Sequence, residues 1–145
     1  MSLTNTQKQL VQDSFAKVVP IADQAADLFY NRLFEIAPET KPLFANTNIR
    51  QQGIKLMQTL KAAVGALDDL DALIPVVYNL GKRHINYGVT KAHYAIVGEA
   101  LLWTLGQGLG DDFTPDVEQA WAEVYGIIAS VATSAYDEVV QPESA

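Results

Sequence analysis

The sequence predicts an all-α protein built from about six substantial helices. Through most of the 145 residues, apolar side chains recur at three- and four-residue steps, which is the spacing of one helical face. Capping residues and prolines bound the segments that show this spacing. No segment alternates apolar and polar residues as a half-buried strand would. With 49% hydrophobic and 19% charged residues, the composition favours a packed core over a disordered chain.

The first two helices are predicted from a cap and a proline. Thr4 followed three residues later by Gln7 matches a capping box, in which two side chains satisfy backbone N–H groups reciprocally. The helix that begins there should stop at Pro20, because a proline ring cannot continue a preceding helix. A second helix is expected over about residues 21–37, and a short turn bracketed by two prolines overlaps its end at residues 37–44.

The third and fourth helices lie in the middle of the chain. A single apolar face predicts the third helix over residues 49–67. Three aspartates between residues 68 and 71 suit the start of the next helix, where negative charge opposes the helix dipole. The apolar stripe of this fourth helix contains Leu80 and His84 and runs up to Gly88.

The last two helices are separated by a glycine-rich break. Thr90 can cap a fifth helix over residues 91–109, and Gly108 and Gly110 lie at its end. A threonine followed by a proline at residues 114–115 then starts a final helix, since proline is favoured in the first turn.

The charge distribution argues against nucleic acid as a partner. Seventeen acidic and ten basic residues give a formal net charge of −7. Lys91 is the last basic residue, and residues 92–145 contain nine acids. Such a segment would repel phosphate groups, so binding to nucleic acid is not expected.

Several other classes are excluded by what the sequence lacks. There is no cysteine, which excludes disulfides, thiolate metal ligands and covalent haem attachment through CxxCH. No signal peptide and no apolar run of about 18 residues is visible, so we expect no membrane span and a cytoplasmic location. No hydrolase or phosphate-loop motif is present, and no catalytic residue is predicted. The length predicts that residues 1–145 form one domain.

Two histidines are the only candidates for an imidazole ligand. His84 and His93 are nine residues apart with Gly88 between them, so a metal ion bound by both is not expected. His84 lies on an apolar stripe, where it is either a hydrogen-bonded core residue or a single axial ligand to a metal already held by a macrocycle. His93 looks like a surface residue.

Four segments in order resemble the globin family, in particular bacterial single-domain haemoglobins and the globin domain of flavohaemoglobins. Residues 38–44 are similar to the short third helix and corner phenylalanine of that family, and residues 80–89 to its proximal-histidine segment. Residues 93–102 and 120–126 are similar to its last two helices. The resemblance implies a globin fold of six to eight helices around a pocket for non-covalent haem b.

The resemblance also implies the roles of individual residues. His84 would be the proximal iron ligand, and Phe44 would stack on the porphyrin. Tyr30, Gln52 and Leu56 would form the distal side, where the phenol and the amide can donate hydrogen bonds to a bound ligand. The other implied haem neighbours are Leu80, Val89, Tyr94, Val97 and Leu101, with Lys55 and Arg83 as propionate partners or ordinary surface charges.

By resemblance, the function expected is reversible O₂ binding for storage, delivery or scavenging, with NO and CO as further ligands. One alternative is a nitric oxide dioxygenase served by a separate reductase, and another is a haem-based gas sensor with a separate partner. Flavohaemoglobins support the proximal histidine with a tyrosine and a glutamate. Tyr94 matches that tyrosine, but Tyr136 stands at the glutamate position, which weakens the dioxygenase hypothesis.

Overall fold

The structure, a computed structural model, describes residues 3–45, 47–86 and 89–144, with side chains as far as Tyr136 apart from Asn86. The described residues form α-helices and short 3₁₀ helices and contain no strand, so the predicted all-α class is confirmed. The α-helices are α1 (Asn5–Val18), α2 (Ala22–Ile36), α3 (Ile49–Gly65), α4 (Leu70–Asn86), α5 (Lys91–Leu109) and α6 (Pro115–Ser144).

The predicted helix bounds agree with these to within about two residues. The turn predicted after the second helix is a 3₁₀ helix, Pro38–Phe44. The main difference is α3, which ends at Gly65 although its apolar face was expected to continue to residue 67. The predicted break at Gly88 lies outside the described residues.

Helix starts are capped as the sequence indicates. The Thr4 hydroxyl accepts a 3.0 Å hydrogen bond from the Gln7 N–H, and the Gln7 side chain accepts one of 3.1 Å in return. Thr90 is the N-cap of α5, and its N–H donates to Nδ1 of the partly exposed His93 at 3.0 Å. Each pairing satisfies a backbone N–H that the helix itself leaves without a partner.

The core is centred on Trp121 of α6, whose side chain is fully buried. Its indole Nε1 donates a 2.8 Å hydrogen bond to the hydroxyl oxygen of Ser14 in α1. A buried indole N–H needs such an acceptor, since an unsatisfied one costs about 1–3 kcal/mol. This bond ties the last helix to the first. No helix of the described residues is long and apolar enough to cross a bilayer.

Glycines allow two helix pairs to approach closely. A Cβ atom at Gly53 of α3 would lie 2.8 Å from the Cβ of Ala26 in α2. A Cβ atom at Gly81 of α4 would overlap the main-chain carbonyl of Ala132 in α6. These crossings fix where α3 lies on α2 and where α4 lies on α6.

Candidate functional site

The short link between α3 and α4 brings two distant parts of the sequence to one end of the helix pair. The link at residues 66–69 is short, and Ala63 of α3 and Leu73 of α4 belong to one apolar cluster, so we infer that the two helices run antiparallel. The start of α3, which carries Gln52 and Leu56, therefore lies at the same end as the last turn of α4, which carries His84. The candidate site has one side on α2 and α3 and the other on α4, α5 and α6.

Aromatic rings fill the α2 side of the site. The rings of Tyr30 and Phe44 lie 5.5 Å apart at 71°, and those of Phe34 and Phe44 lie 5.5 Å apart at 65°. Tyr30 is 4% exposed, whereas Phe34 and Phe44 are partly exposed. The 3₁₀ helix that ends at Phe44 directs its ring back onto α2. These edge-to-face contacts hold the Tyr30 ring in one orientation.

The Tyr30 hydroxyl lies beside the side-chain amide of Gln52. Ala26 is one turn before Tyr30, and Gly53 follows Gln52, so the close contact of α2 with α3 brings the two polar groups together. Burial raises the pKa of Tyr30 to about 12, and a hydrogen bond with the Gln52 side chain opposes the rise. The phenol therefore keeps its proton near neutral pH and can donate a hydrogen bond.

An apolar cavity lies behind these residues, between α1, α2, α3 and α5. Leu56 and Leu101 both line it, together with Phe29, Leu60 and Leu105. Leu101, which the resemblance implies as a haem neighbour, thus shares this cavity with Leu56.

On the opposite side, His84 is oriented by its own helix. Its Nδ1 is 2.8 Å from the main-chain carbonyl oxygen of Leu80. Since a carbonyl oxygen only accepts, Nδ1 carries the proton and Nε2 has the lone pair that a metal ion takes. Burial lowers the pKa of His84, the Leu80 hydrogen bond raises it, and the Arg83 charge lowers it. The imidazole is therefore held neutral, which is the form that binds metal.

One tyrosine lies beside the imidazole, and two more tyrosines contact that first one. The rings of His84 and Tyr94 lie 6.3 Å apart, and Tyr136 contacts Tyr94 edge-to-face at 6.0 Å. The Tyr125 hydroxyl donates to the carbonyl oxygen of Tyr94 at 2.5 Å. Burial, with smaller effects from Tyr136 and Tyr125, raises the pKa of Tyr94. The Tyr94 phenol is therefore neutral beside His84.

Tyr125 and Phe34 were not predicted as site residues from the sequence. A signal for Tyr125 existed, because it lies eleven residues before Tyr136, and eleven residues return to nearly the same face of a helix. Phe34 lies one turn after Tyr30 and shares its face. Both residues support other site residues: Tyr125 bonds the main chain of Tyr94, and Phe34 packs on Tyr30 and Phe44.

The remaining predicted residues lie at the periphery. Val97 on α5 is partly exposed, and so is Val89, whose carbonyl accepts from Tyr136. Lys55 and Arg83 are exposed on α3 and α4, and neither takes part in the ion pairs Lys17–Asp112 and Arg32–Glu35 found among the described residues.

The donor set fits a metal held by a macrocycle and does not fit a bare ion. No group of three or more histidine, cysteine or acidic side chains comes together within the part of the chain that the structure describes. A single neutral imidazole cannot hold an ion alone, but it suffices as the axial ligand of an iron porphyrin. Phe44, Leu56 and the Tyr30 hydroxyl would supply apolar and polar contacts to such a group.

Comparison with known proteins agrees with this interpretation of the donor set. The Globin family model matches residues 27–132. A flavohemoprotein of Bacillus subtilis is 38% identical over 117 residues, which are 77% of this chain and 29% of that protein. A neuroglobin of Danio rerio is 33% identical over 144 residues, 90% of this chain and 91% of that protein. The chain thus spans less than a third of the Bacillus flavohemoprotein and nearly all of the neuroglobin.

Proposed function

The chain belongs to the globin family, and on that premise we propose that it binds O₂ reversibly at a non-covalent haem b. Membership of this family supports haem-based binding of a small gas ligand. Beyond family membership, we propose the type of haem, O₂ as the ligand and the residues that act on it. In it His84 is the proximal ligand, Tyr30 and Gln52 are distal donors, and the protein stores, delivers or scavenges O₂ in the cytoplasm.

The observation that carries this proposal is the buried Tyr30 side chain, whose ring is held by Phe44 and whose hydroxyl lies beside the Gln52 side chain. A ferrous haem held here would supply the O₂-binding iron, and O₂ bound to it would carry partial negative charge on its outer oxygen atom. A donor aimed at that atom contributes about 1.5–3 kcal/mol, which tightens O₂ binding by roughly 10- to 150-fold. CO carries less negative charge when bound, so two neutral donors favour O₂ over CO.

The other residues have supporting roles in the proposal. Phe44 stacks on the porphyrin, and Leu56 covers the ligand from α3. The Leu80 carbonyl fixes the tautomer of His84 through the 2.8 Å hydrogen bond. Apolar and aromatic contacts come from Val89, Tyr94, Val97 and Leu101, while Lys55 and Arg83 bind the propionates.

Reconstitution with haemin tests the proposal. The wild-type protein should give a Soret band and, when reduced, the spectrum of five-coordinate ferrous haem. His84→Ala should lose both, whereas His93→Ala should keep them, because His93 caps α5 and has no part in the site. Equal haem retention by His84→Ala and wild type would refute the proposal.

A second candidate function is nitric oxide dioxygenation, favoured by the similarity to flavohemoproteins. In that reaction O₂ and NO give nitrate, and one electron from a reductase returns ferric iron to the ferrous state. Tyr136 stands where those proteins would place a carboxylate beside Tyr94. Repeated turnover of NO with an added reductase would establish the activity, and a single turnover that leaves ferric protein would exclude it.

A further inference from the structure

The first turn of α5 is capped by an imidazole. Thr90 is the N-cap of this helix, and its N–H donates a 3.0 Å hydrogen bond to Nδ1 of His93, three residues later. The N–H of His93 in turn donates to the Thr90 carbonyl oxygen at 3.1 Å. Glutamine or glutamate is usual at this position of a capping box, and neither loses its acceptor oxygen near neutral pH. A histidine makes the cap depend on the charge of its ring.

Protonation of His93 removes the acceptor of this cap. Nδ1 accepts from Thr90 only while it has a lone pair, so the neutral ring carries its proton on Nε2. In the imidazolium form both ring nitrogens are donors, and the Thr90 N–H loses its partner. The positive charge would also lie in the first turn of a helix, where the helix dipole is unfavourable to cations. Because histidine ordinarily changes its charge between about pH 5 and pH 8, the cap is sensitive to mild acid.

The charged residues on the same helix do not compensate a protonated His93. Lys91 and Glu99 are both exposed, and they lie about 160° and 120° away from His93 around the helix axis. No ion pair found among the described residues includes His93.

The neighbouring helices also offer no described anion to His93. The last two turns of α4 carry two exposed basic residues, Lys82 and Arg83, and no acidic one. On α6, the titratable groups that bond the start of α5 and the segment before it are the phenols of Tyr125 and Tyr136. Phenols are neutral in the pH range where histidine titrates, so the state of the cap follows the charge of the imidazole.

The capped turn lies between two residues that contact His84. Val89 immediately precedes Thr90, and its N–H donates to the His84 carbonyl oxygen at 3.0 Å. Tyr94 immediately follows His93, and its ring lies 6.3 Å from the imidazole of His84. Since the turn joins these two contacts, its opening gives more freedom to the ring that packs beside His84.

We propose that His93 is a positioning residue for the haem site: in mild acid it becomes charged, the first turn of α5 opens, and the packing beside His84 loosens. The loss of the cap depends on the geometry of the chain alone, whereas its effect on haem rests on the proposed function. The carbonyl oxygens of Val89 and Tyr94 stay bonded to tyrosines of α6, so the opening is confined to one turn. The haem is therefore held less tightly in acid while the fold persists.

Two substitutions at residue 93 separate the cap from the charge. His93→Gln keeps an acceptor at every pH, since glutamine is an ordinary capping-box residue. His93→Ala has no acceptor at any pH. Wild type should therefore behave like His93→Gln at pH 7.5 and like His93→Ala at pH 5.5. A histidine with only a packing role would give the same order of the three proteins at both pH values.

Amide hydrogen exchange at Thr90 measures the cap directly, on the ¹⁵N-labelled, haem-loaded protein with CO bound. At pH 5.5 the protection of this amide should be about fivefold lower in wild type than in His93→Gln, which is the typical contribution of one helix cap. At pH 7.5 the two proteins should agree.

Transfer of haem from the ferric protein to an excess of haem-free myoglobin measures the consequence for the site. At pH 5.5 wild type should release haem about two- to fivefold faster than His93→Gln, because the gain is bounded by the contribution of the cap. The difference should disappear at pH 7.5. Protonation of the propionates and of His84 accelerates release in both proteins and cancels in the ratio.

Equal protection of Thr90 in wild type and His93→Gln at pH 5.5 would overturn the proposal. Equal haem release by the two proteins, with protection that differs, would overturn it as well. If wild type takes up no haem at either pH, the proposed function is refuted instead. The exchange comparison is then made on the purified chain, where it still decides whether the charge of His93 controls the cap.

Discussion

The Tyr136 hydroxyl donates a 2.6 Å hydrogen bond to the main-chain carbonyl oxygen of Val89. Val89 belongs to the segment that joins α4 to α5, five residues after His84. Tyr136 also packs edge-to-face on Tyr94. One side chain of α6 therefore holds both the segment after the proposed iron ligand and the aromatic ring beside it.

Replacing Tyr136 by phenylalanine removes this hydrogen bond and keeps the ring. We expect Tyr136→Phe to lower the free energy of unfolding by about 1 kcal/mol, because the Val89 carbonyl loses a buried partner. Urea denaturation measures the loss. Tyr78→Phe is the control, since the buried Tyr78 hydroxyl has no hydrogen-bond partner among the described residues and its removal should leave the free energy of unfolding unchanged or raise it.

Gly81→Ala tests the contact of α4 with α6. The added methyl group would overlap the Ala132 carbonyl, which belongs to the main chain and cannot turn aside. We expect a loss of about 3 kcal/mol or more in the free energy of unfolding, since overpacking typically costs 1–3 kcal/mol even against side chains. Gly65→Ala at the end of α3 meets no atom within 4 Å and should be neutral or stabilising. Similar thermal denaturation midpoints for the two variants would contradict the close crossing.

Tyr30→Phe tests the distal hydrogen bond. The substitution removes a hydroxyl with little change in ring volume, so its effect on ligand release should be electrostatic. O₂ dissociation should accelerate about tenfold or more, which corresponds to roughly 1.4 kcal/mol, while CO dissociation changes far less. Stopped-flow ligand replacement gives both rates.

Gln52→Leu should act in the same direction as Tyr30→Phe and more weakly. Because both donors serve one oxygen atom, the double variant should be non-additive. Equal acceleration of O₂ and CO release in Tyr30→Phe would indicate a steric gate, and the hydrogen-bonding explanation would then fail.

The buried Tyr30 phenol should also make the protein sensitive to alkali. Its pKa is about 12 in the folded chain and 10.0 when unperturbed, so the folded state retains this proton to higher pH than the unfolded state. Stability linked to Tyr30 is therefore fully present below about pH 10 and falls as the pH rises towards 12.

Circular dichroism during urea unfolding measures this dependence. Between about pH 9 and pH 11, wild type should lose about 1 kcal/mol more stability than Tyr30→Phe. Tyr94 and Tyr125, whose pKa values burial also raises, are present in both proteins and cancel in the comparison. Parallel pH profiles for the two proteins would show that the phenol is not desolvated in solution.

The helices could be predicted from the sequence because their signals are local. The Thr4–Gln7 box and the Thr114–Pro115 start depend on neighbouring residues, and the structure confirms both starts. The end of α3 is different. Leu67 is 1% exposed, although it lies in the link after the helix, because the turn returns it to the core. Because Leu67 is apolar, it fitted the helical pattern of the sequence, which therefore predicted a helix longer than the one that ends at Gly65.

The contacts between residues of the site could not be predicted without the tertiary structure. Tyr30 and Gln52 lie on different helices, and only the crossing at Ala26 and Gly53 determines that their polar groups meet. Leu101 is a second example. The family resemblance implied that Leu101 is a haem neighbour, but it did not reveal that Leu101 shares a cavity with Leu56. In both cases the missing information is the angle and offset between two helices.

The uneven charge of the molecule has a practical consequence for immobilisation. Residues 92–145 contain nine acids and no lysine or arginine, whereas seven of the ten basic residues lie between residues 41 and 91. On a positively charged resin or electrode, the protein should therefore attach through the acidic segment and leave residues 41–91 towards the solution. On a negatively charged support, the basic residues of that middle segment should make the contact instead.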